Sequence, residues 1–311
     1  MRSRPSDARR SLRLLVSAST TDLIDHDPGL LGRGLLLRSW DPEEGLVLMG
    51  KIRISHYSIH LSRYGLAADR PFSAAVLADL HNRVYHSDID SLMDAIRHAG
   101  CDLVLSAGDL VVMKAGRFAT DQALDLIGRL TAEYPVYTAN GNHETRMLRL
   151  HPEEYERYTE KLQELGAVNL VNEAQSIHMC GTLLHIAGLE LERMYFKHSR
   201  GVVLDSAVIT QKVGKRREDA FNILLAHHPR YFSVYAQWGA DLALSGHLHG
   251  GIVRLPLAGG VISPDPALFP RYDHGRYTSG RSTMIVSAGL GTHTINLRVN
   301  NPAELVMVDF I

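Results

Sequence analysis

Three apolar runs in the first half of the chain each lead into an Asp or His cluster, and this recurrence constrains the fold more than any other feature. The junctions are Ala74 to Ala78 into Asp79-Leu80-His81, Leu103-Val104-Leu105 into Gly108-Asp109, and Val136-Tyr137-Thr138 into Gly141-Asn142-His143-Glu144. Helical periodicity after the first two runs, starting at Ser87 and at about Thr120, predicts successive β-α units. In open α/β sheets, ligands bind at the carboxyl edge of the strands, so we expect these clusters to meet there.

The second half of the chain predicts shorter strands after a charged helix over Pro152 to Leu165. The predicted strands are Val168 to Val171, Gln175 to Met179 and Leu183 to Ala187 as hairpin strands, then Asn222 to Ala226, Leu242 to Ser245, Thr283 to Ser287 and Glu304 to Phe310. Two of them lead into histidine clusters at His227 and His247. The Gly- and Pro-rich stretch from Leu255 to Gly280 is predicted to be a long binding loop or lid.

The composition is that of an ordinary globular protein. Because no internal repeat, low-complexity tract or Pro-rich linker occurs between residues 70 and 311, one continuous α/β domain is expected over residues 51–311. Residues 1–50 are interpreted as a poorly ordered or leader-like extension. Lys and Arg total 33 against 34 for Asp and Glu, so no global field attracts nucleic acid, and no nucleic-acid partner is expected. The expected location is cytoplasmic, or membrane-associated or exported if the extension is a degenerate leader. Peripheral membrane association and the oligomeric state are left open.

The motif Gly246-His247-Leu248-His249 carries more information than any single cluster before it. With 26 Gly and 17 His in the chain, Gly-His-x-His is expected by chance only about 0.08 times. Each of the other clusters could by itself be a turn or a strand end. Five such clusters, each after an apolar run, would bring two carboxylates, one amide and four imidazoles to one sheet edge.

A mixed set of imidazole and carboxylate ligands suits two borderline divalent ions, such as Mn, Fe, Zn, Co or Ni. Two ions about 3.5 to 4 Å apart can activate a bridging water as a hydroxide nucleophile and clamp phosphoryl oxygens. Neither a Gly-x-Ser-x-Gly motif nor a Gly-rich phosphate loop is present, in agreement with a nucleophile supplied by metal-activated water.

Taken in order, the five motifs resemble those of the calcineurin-like metallophosphoesterases over roughly residues 70 to 311. The resemblance implies an α/β fold of four layers (αββα), in which two mixed β-sheets are flanked by helices. It also implies that Asp79, His81 and His249 hold one metal, that Asn142, His227 and His247 hold the other, and that Asp109 bridges them. His143 is then not a ligand: it would stabilise the phosphoryl charge, with protonation of the leaving oxygen as a further role.

The departures from the family pattern bear on the substrate. Gly108-Asp109 continues as Leu-Val-Val-Met-Lys rather than the x-x-Asp-Arg-Gly of protein Ser/Thr phosphatases, which weighs against phosphoproteins. Gly250, Gly251 and Arg254-Leu255-Pro256 are similar to a bacterial subgroup of small-molecule or lipid-linked phosphodiesterases, although Ile252 replaces the usual Gln. A small-molecule or lipid-headgroup phosphoester is therefore the expected substrate, with a phosphodiesterase or phosphomonoesterase activity.

Two other interpretations stand beside this one. A metal-binding scaffold of the same fold without catalysis would be expected to have lost ligands, and a nuclease would be expected to carry an aromatic-basic stripe. His228 is interpreted as a neighbour of the ligands rather than a ligand. His274 and His293 are interpreted as solvated loop residues, with a place in the substrate pocket as the alternative.

Overall fold

The computed structural model describes residues 45–49, 52–114, 117–196, 203–251, 253–255, 259–262, 270–292 and 298–311. All of them belong to one compact unit, residues 41–311. The predicted extension over residues 1–50 lies outside the described residues apart from Gly45–Met49, which form a strand. In the described part of the chain, no helix is both long and apolar enough to span a lipid bilayer.

The described residues form seventeen strands. They are β1 Gly45–Met49, β2 Ile52–Ile59, β3 Phe72–Leu77, β4 Leu103–Ser106, β5 Val112–Lys114, β6 Arg117–Ala119, β7 Val136–Ala139, β8 Val168–Leu170, β9 Glu173–Met179, β10 Thr182–Leu189, β11 Phe221–Ala226, β12 Leu242–Ser245, β13 Val253–Leu255, β14 Gly259–Ile262, β15 Gly275–Ser279, β16 Ser282–Val286 and β17 Ala303–Phe310.

Seven α-helices lie between these strands in the same described ranges. They are α1 Ile89–Ala99, α2 Asp121–Thr131, α3 Asn142–Leu150, α4 Pro152–Glu164, α5 Arg193–Phe196, α6 Ser206–Val213 and α7 Phe232–Trp238. The helix start predicted at Ser87 is early, because the carboxylate of Asp88 accepts from the Ser91 N–H (2.8 Å) and caps α1.

Two large sheets form the centre of this unit. The first sheet has the order β1-β2-β17-β3-β4-β7-β8, and the second has the order β15-β16-β12-β11-β10-β9. One apolar core, which includes Leu105, Ile223 and Phe310, lies between the sheets. Residues of α1, α2 and α4 share a second core with the first sheet, and residues of α6 and α7 share a third with the second sheet. These layers confirm the predicted αββα sandwich.

Parallel pairing brings the predicted clusters to one edge. Strands β3, β4 and β7 are mutually parallel neighbours in the first sheet, and β11 and β12 are parallel neighbours in the second. Because parallel strands end at the same side of a sheet, the loops after them converge within each sheet. The two sheets meet at this edge, where the Asp79 carboxylate accepts from the backbone N–H of His247 (3.0 Å).

Two predictions for the second half of the chain are wrong in part. Strands β9 and β10 form the expected hairpin, but β8 pairs in parallel with β7 and belongs to the first sheet. The stretch from Leu255 to Gly280 is not one long loop, since it contains β14 and β15, and β15 forms a hairpin with β16. The sequence prediction also lacked β2, although its buried positions follow a largely alternating pattern.

A buried ionic network lies around Glu304 of β17. This carboxylate is fully buried and accepts from the Ser55 hydroxyl (2.6 Å) of β2. It also lies 2.7 Å from Nε2 of His274, just before β15, and 3.1 Å from Nη2 of Arg53 on the neighbouring β2. His274 is 5% exposed, so its interpretation as a solvated loop residue is wrong. His293 lies outside the described residues.

This network makes a contribution to stability that depends on pH. Burial lowers the pKa of His274 to about 4, because the desolvated imidazolium is disfavoured beside Arg53 in spite of Glu304. Burial alone would raise the pKa of Glu304, but His274 and Arg53 outweigh it and hold this pKa well below its usual range. Both groups bind fewer protons in the folded state than in the unfolded state. Their contribution to the free energy of unfolding therefore decreases as the pH falls.

We predict that His274→Gln makes the free energy of unfolding decrease less between pH 6.5 and 4 than in the wild-type protein, because glutamine can donate to Glu304 without titrating. Urea unfolding at several pH values measures the slope. His178→Gln, at an exposed position of β9, is the matched control and should keep the wild-type slope. Equal slopes for the wild-type protein and His274→Gln would contradict the assignment.

Candidate metal centre

All seven predicted metal ligands lie at the shared edge of the two sheets. Six of them are at most 6% exposed, and Asn142 is half-buried. They follow β3 (Asp79 and His81), β4 (Asp109), β7 (Asn142), β11 (His227) and β12 (His247 and His249). The structure thus brings together side chains that are widely separated in the sequence.

Three groups of potential ligand atoms occur among the described residues, and two of them consist only of predicted ligands. In the first group, atoms of Asp79, His81 and His249 lie within 4.8 Å of one another. Nε2 of His249 is 2.9 Å from Nε2 of His81 and 3.4 Å from Oδ1 of Asp79. These potential donor atoms are compact enough to meet at one cation.

The second group consists of Asp109, His227 and His247, also within 4.8 Å of one another. Oδ2 of Asp109 is 3.1 Å from Nε2 of His227 and 3.9 Å from Nε2 of His81, so it faces both groups. Nδ1 of His247 is 2.7 Å from Oδ1 of Asn142, which adds the amide oxygen. The two groups together offer imidazole, carboxylate and amide donors, which suit a pair of borderline divalent cations.

The electrostatics of the site favour positive charge. Burial raises the pKa of Asp79 to about 6, and the adjacent Asp109 carboxylate contributes to the increase. Burial would also raise the pKa of Asp109, but the neighbouring His227 and His143 outweigh it and lower this pKa well below its ordinary value. Burial disfavours charge on His227, yet Asp109 and Asp79 raise its pKa to about 10. The negative charge of the two carboxylates, which favours a proton on His227, would also attract a divalent cation.

Backbone strain is concentrated in the same loops. Each left-handed conformation costs a non-glycine residue about 1 kcal/mol or more, and it persists only where the surroundings fix it. Strained residues of this kind cluster at functional sites. The backbone conformation and the donor chemistry therefore both indicate a functional site in these loops. Five of the predicted ligands have such a backbone, with φ between 48° and 71°: Asp79, His81, Asp109, His247 and His249.

His143 is outside the predicted ligand set, but it forms the third group, in which one of its ring nitrogens lies within 4.8 Å of donor atoms of His81 and Asp109. Its ring centroid is 4.5 Å from that of His81, and its backbone N–H donates to Oδ1 of Asp109 (2.8 Å). The Met113 N–H donates to Nδ1 of His143 (2.7 Å), so the proton of the neutral ring is carried by Nε2. The ring is therefore oriented as a hydrogen-bond donor through Nε2.

His228 is buried next to the ligands, as predicted. Its ring centroid lies 4.3 Å from that of His247, and its Nδ1 accepts from the Arg230 N–H (3.4 Å). His228 belongs to none of the groups whose atoms could share a cation among the described residues. It forms part of the wall behind the second group.

Two residues near the C-terminus support His249, and the sequence prediction missed both. Nη2 of Arg298 lies 3.3 Å from Nδ1 of His249, and Nδ2 of Asn301 donates to the His249 carbonyl (2.6 Å). Arg298 is 8% exposed. Burial, which outweighs the attraction of Asp79 and Glu304, lowers its pKa to about 10. Neither residue stands in a motif, so only the fold could reveal the contact.

Glu144 holds the loop that carries Asp109. It is 2% exposed, and its carboxylate accepts from the backbone N–H groups of Asp109 (3.0 Å), Leu110 (2.8 Å), Val111 (3.2 Å) and Gly141 (2.9 Å). One side chain thus satisfies four donors in the loops after β4 and β7. The position of Asp109, between the two groups of ligand atoms, depends on this carboxylate.

We predict that Glu144→Ala lowers the free energy of unfolding by about 3 kcal/mol or more, because it leaves buried N–H groups without an acceptor. Glu144→Gln retains one acceptor oxygen and should lose less. Urea unfolding measures both variants against Glu160→Ala, at an exposed position of α4. A change within about 0.5 kcal/mol for Glu144→Ala, the usual range for surface substitutions, would contradict the role of this carboxylate.

Comparisons with known proteins agree with this geometry. Residues 72–251 match the family described as Calcineurin-like phosphoesterase. The chain is 23% identical over 241 residues to the uncharacterized metallophosphoesterase YkoQ of Bacillus subtilis (strain 168), covering 78% of this chain and 84% of YkoQ. It is 25% identical over 245 residues to phosphodiesterase YaeI of Escherichia coli (strain K12), covering 78% of this chain and 83% of YaeI.

Among solved structures, the chain is similar to phosphopantetheinyl hydrolase (PptH) of Mycobacterium tuberculosis. The TM-score is 0.41 at 15% identity, over 69% of this chain and 88% of that chain. The family match covers more than half of the chain and contains every predicted metal ligand. With its buried His and Asp clusters able to hold metal ions, the chain belongs to the calcineurin-like phosphoesterase family and is a metallophosphoesterase.

Proposed function

We propose that this metallophosphoesterase hydrolyses phosphodiesters of small molecules or lipid headgroups with a pair of divalent metal ions. The observation that carries the proposal is the arrangement of two compact groups of ligand atoms, with Oδ2 of Asp109 facing both. A single shared carboxylate between two ligand sets is what a dinuclear centre requires. Mn, Fe, Zn, Co and Ni are all compatible with the donor set.

We assign the first ion to Asp79, His81 and His249, and the second to Asn142, His227 and His247. Asp109 is assigned as the bridge. In this assignment the ions would supply an activated water and neutralise the phosphoryl charge. The backbone N–H groups of His247 and His143 donate to Asp79 and Asp109 respectively, and so orient the carboxylates toward the centre.

His143 is assigned to the substrate rather than to a metal. Because Nδ1 accepts from Met113, the ring offers its Nε2 proton, which can be donated to a phosphoryl oxygen as negative charge develops there. A donor fixed by a backbone contact needs little reorganisation during the reaction. Charge stabilisation is therefore the role that the local geometry supports best for His143.

Two further observations support a phosphodiester of modest size. Phosphodiesterase YaeI is similar over most of both chains. The loop after Asp109 continues into the β5–β6 hairpin, without the Asp-Arg-Gly of protein phosphatases. A nuclease is disfavoured by the formal net charge of −1, and a scaffold without catalysis is disfavoured because every ligand position is filled.

We predict that the purified protein hydrolyses bis(p-nitrophenyl) phosphate when Mn is added and that chelation abolishes this turnover. His143→Gln should lower kcat by about 10²- to 10⁴-fold through loss of a positioned donor. Asp109→Asn should lower it at least as far. His178→Gln is the surface control. Turnover that survives chelation and both substitutions would refute the proposed function.

The metal content of variants distinguishes a metal ligand from a residue that donates a hydrogen bond to the substrate. We predict about two Mn ions per chain for the wild-type protein. Asp109→Asn should lower this number, because it weakens the proposed bridge, whereas His143→Gln should retain it. Elemental analysis after dialysis in metal-replete buffer measures the stoichiometry. Loss of metal in His143→Gln and retention in Asp109→Asn would reverse the assignment.

A further inference from the structure

Phe196, the last residue of α5, lies beside His227 and His247 of the second ligand group and beside their neighbour His228. Its ring centroid is 5.4 Å from that of His228 and 5.4 Å from that of His247, and 6.4 Å from that of His227. The planes of Phe196 and His228 are inclined by 26°, a stacked arrangement, whereas Phe196 meets His247 edge-on at 61°. Phe196 also packs against the third apolar core, so an aromatic ring at the edge of this core lies directly beside an otherwise polar site.

The preceding residue fixes the end of α5 that carries Phe196. Tyr195 is 8% exposed, and its carbonyl accepts from the Tyr231 hydroxyl (2.7 Å). The two tyrosine rings also meet edge-on, with centroids 5.9 Å apart. Phe196 is only half-buried, so part of the residue is open to contact with a bound molecule.

We propose, on the basis of the proposed function, that Phe196 is a specificity-determining residue that binds an apolar ester group of the phosphodiester substrate. In this proposal, a phosphoryl group held between the two ligand sets would direct one ester substituent past His247 toward Phe196, whose ring centroid is 5.4 Å from that of His247. An apolar substituent that packs on Phe196 would bury surface from both partners. The substrate class is thus a phosphodiester with one apolar substituent, aryl or alkyl, rather than two small polar ones.

The contact of Phe196 with histidines has another explanation, in which the ring only shields the ligands from water. The two roles differ in a measurable way. A shield would affect metal retention and the hydrolysis of every substrate alike. A specificity residue affects one ester and spares another, because the reaction at phosphorus is unchanged.

The test compares methyl p-nitrophenyl phosphate with phenyl p-nitrophenyl phosphate, which release the same leaving group. In the wild-type protein with Mn, we expect kcat/KM to be about 10-fold or more higher for the phenyl ester. Phe196→Ala should remove most of this preference while changing kcat/KM for the methyl ester by less than about 3-fold. Phe196→Leu, which keeps an apolar side chain at this position, should retain more of the preference than Phe196→Ala.

Phe118→Ala is the matched control, because Phe118 is also partly exposed but its ring contacts His151 rather than the ligand histidines. This variant should keep the wild-type preference. A phenyl-to-methyl ratio that is unchanged in Phe196→Ala would overturn the inference, as would an equal loss for both esters together with loss of bound Mn. If the wild-type protein hydrolyses neither ester, the proposed function fails instead.

Discussion

Two buried carboxylates placed next to each other are the constraint on which the rest of the site depends. Asp79 and Asp109 are at most 1% exposed, and a buried anion pair is unstable unless cations or donors surround it. Nε2 atoms of His81, His227 and His249 lie within 4.0 Å of these carboxylates, and the two carboxylates raise the pKa of His227 to about 10. Two divalent cations would neutralise the same charge more completely. Because metal ions would neutralise this buried charge, metal binding is expected to stabilise the loops that carry Asp79 and Asp109.

Close backbone approach makes this arrangement possible. A Cβ at Gly108 would clash with the backbone N of Gly141, and one at Gly246 would clash with Oδ2 of Asp79. Glycine is thus needed before Asp109 and before the histidines of the last motif for a spatial reason, in addition to the positive φ of Gly108 (97°). The glycines and the ligands of the motifs are parts of one packing arrangement, and the Glu144 carboxylate then holds the loops that those glycines allow to meet.

The sequence predicted the site where an apolar strand pattern is followed directly by residues that can bind metal. The runs before Asp79, Asp109, His227 and His247 are buried strands, and their order along the chain made convergence at one edge a sound prediction. Contacts made by residues without a motif were not predictable. Phe196 follows no pattern that distinguishes it from a core aromatic. The place of β17 between β2 and β3 also has no local signal, because a strand's neighbours depend on the whole topology.

The position of β17 has a consequence for how the site is completed. The family match ends at residue 251, yet Arg298 and Asn301, just before β17, contact His249. Glu304, at the start of β17, accepts from the Ala288 N–H (2.7 Å) in the loop after β16. The wall behind the first ligand group is therefore built from the last segment of the chain. β17 pairs with β2 and β3, which lie at the opposite end of the domain in sequence. The contacts of Arg298 and Asn301 with His249 therefore depend on the pairing of strands that are distant in sequence.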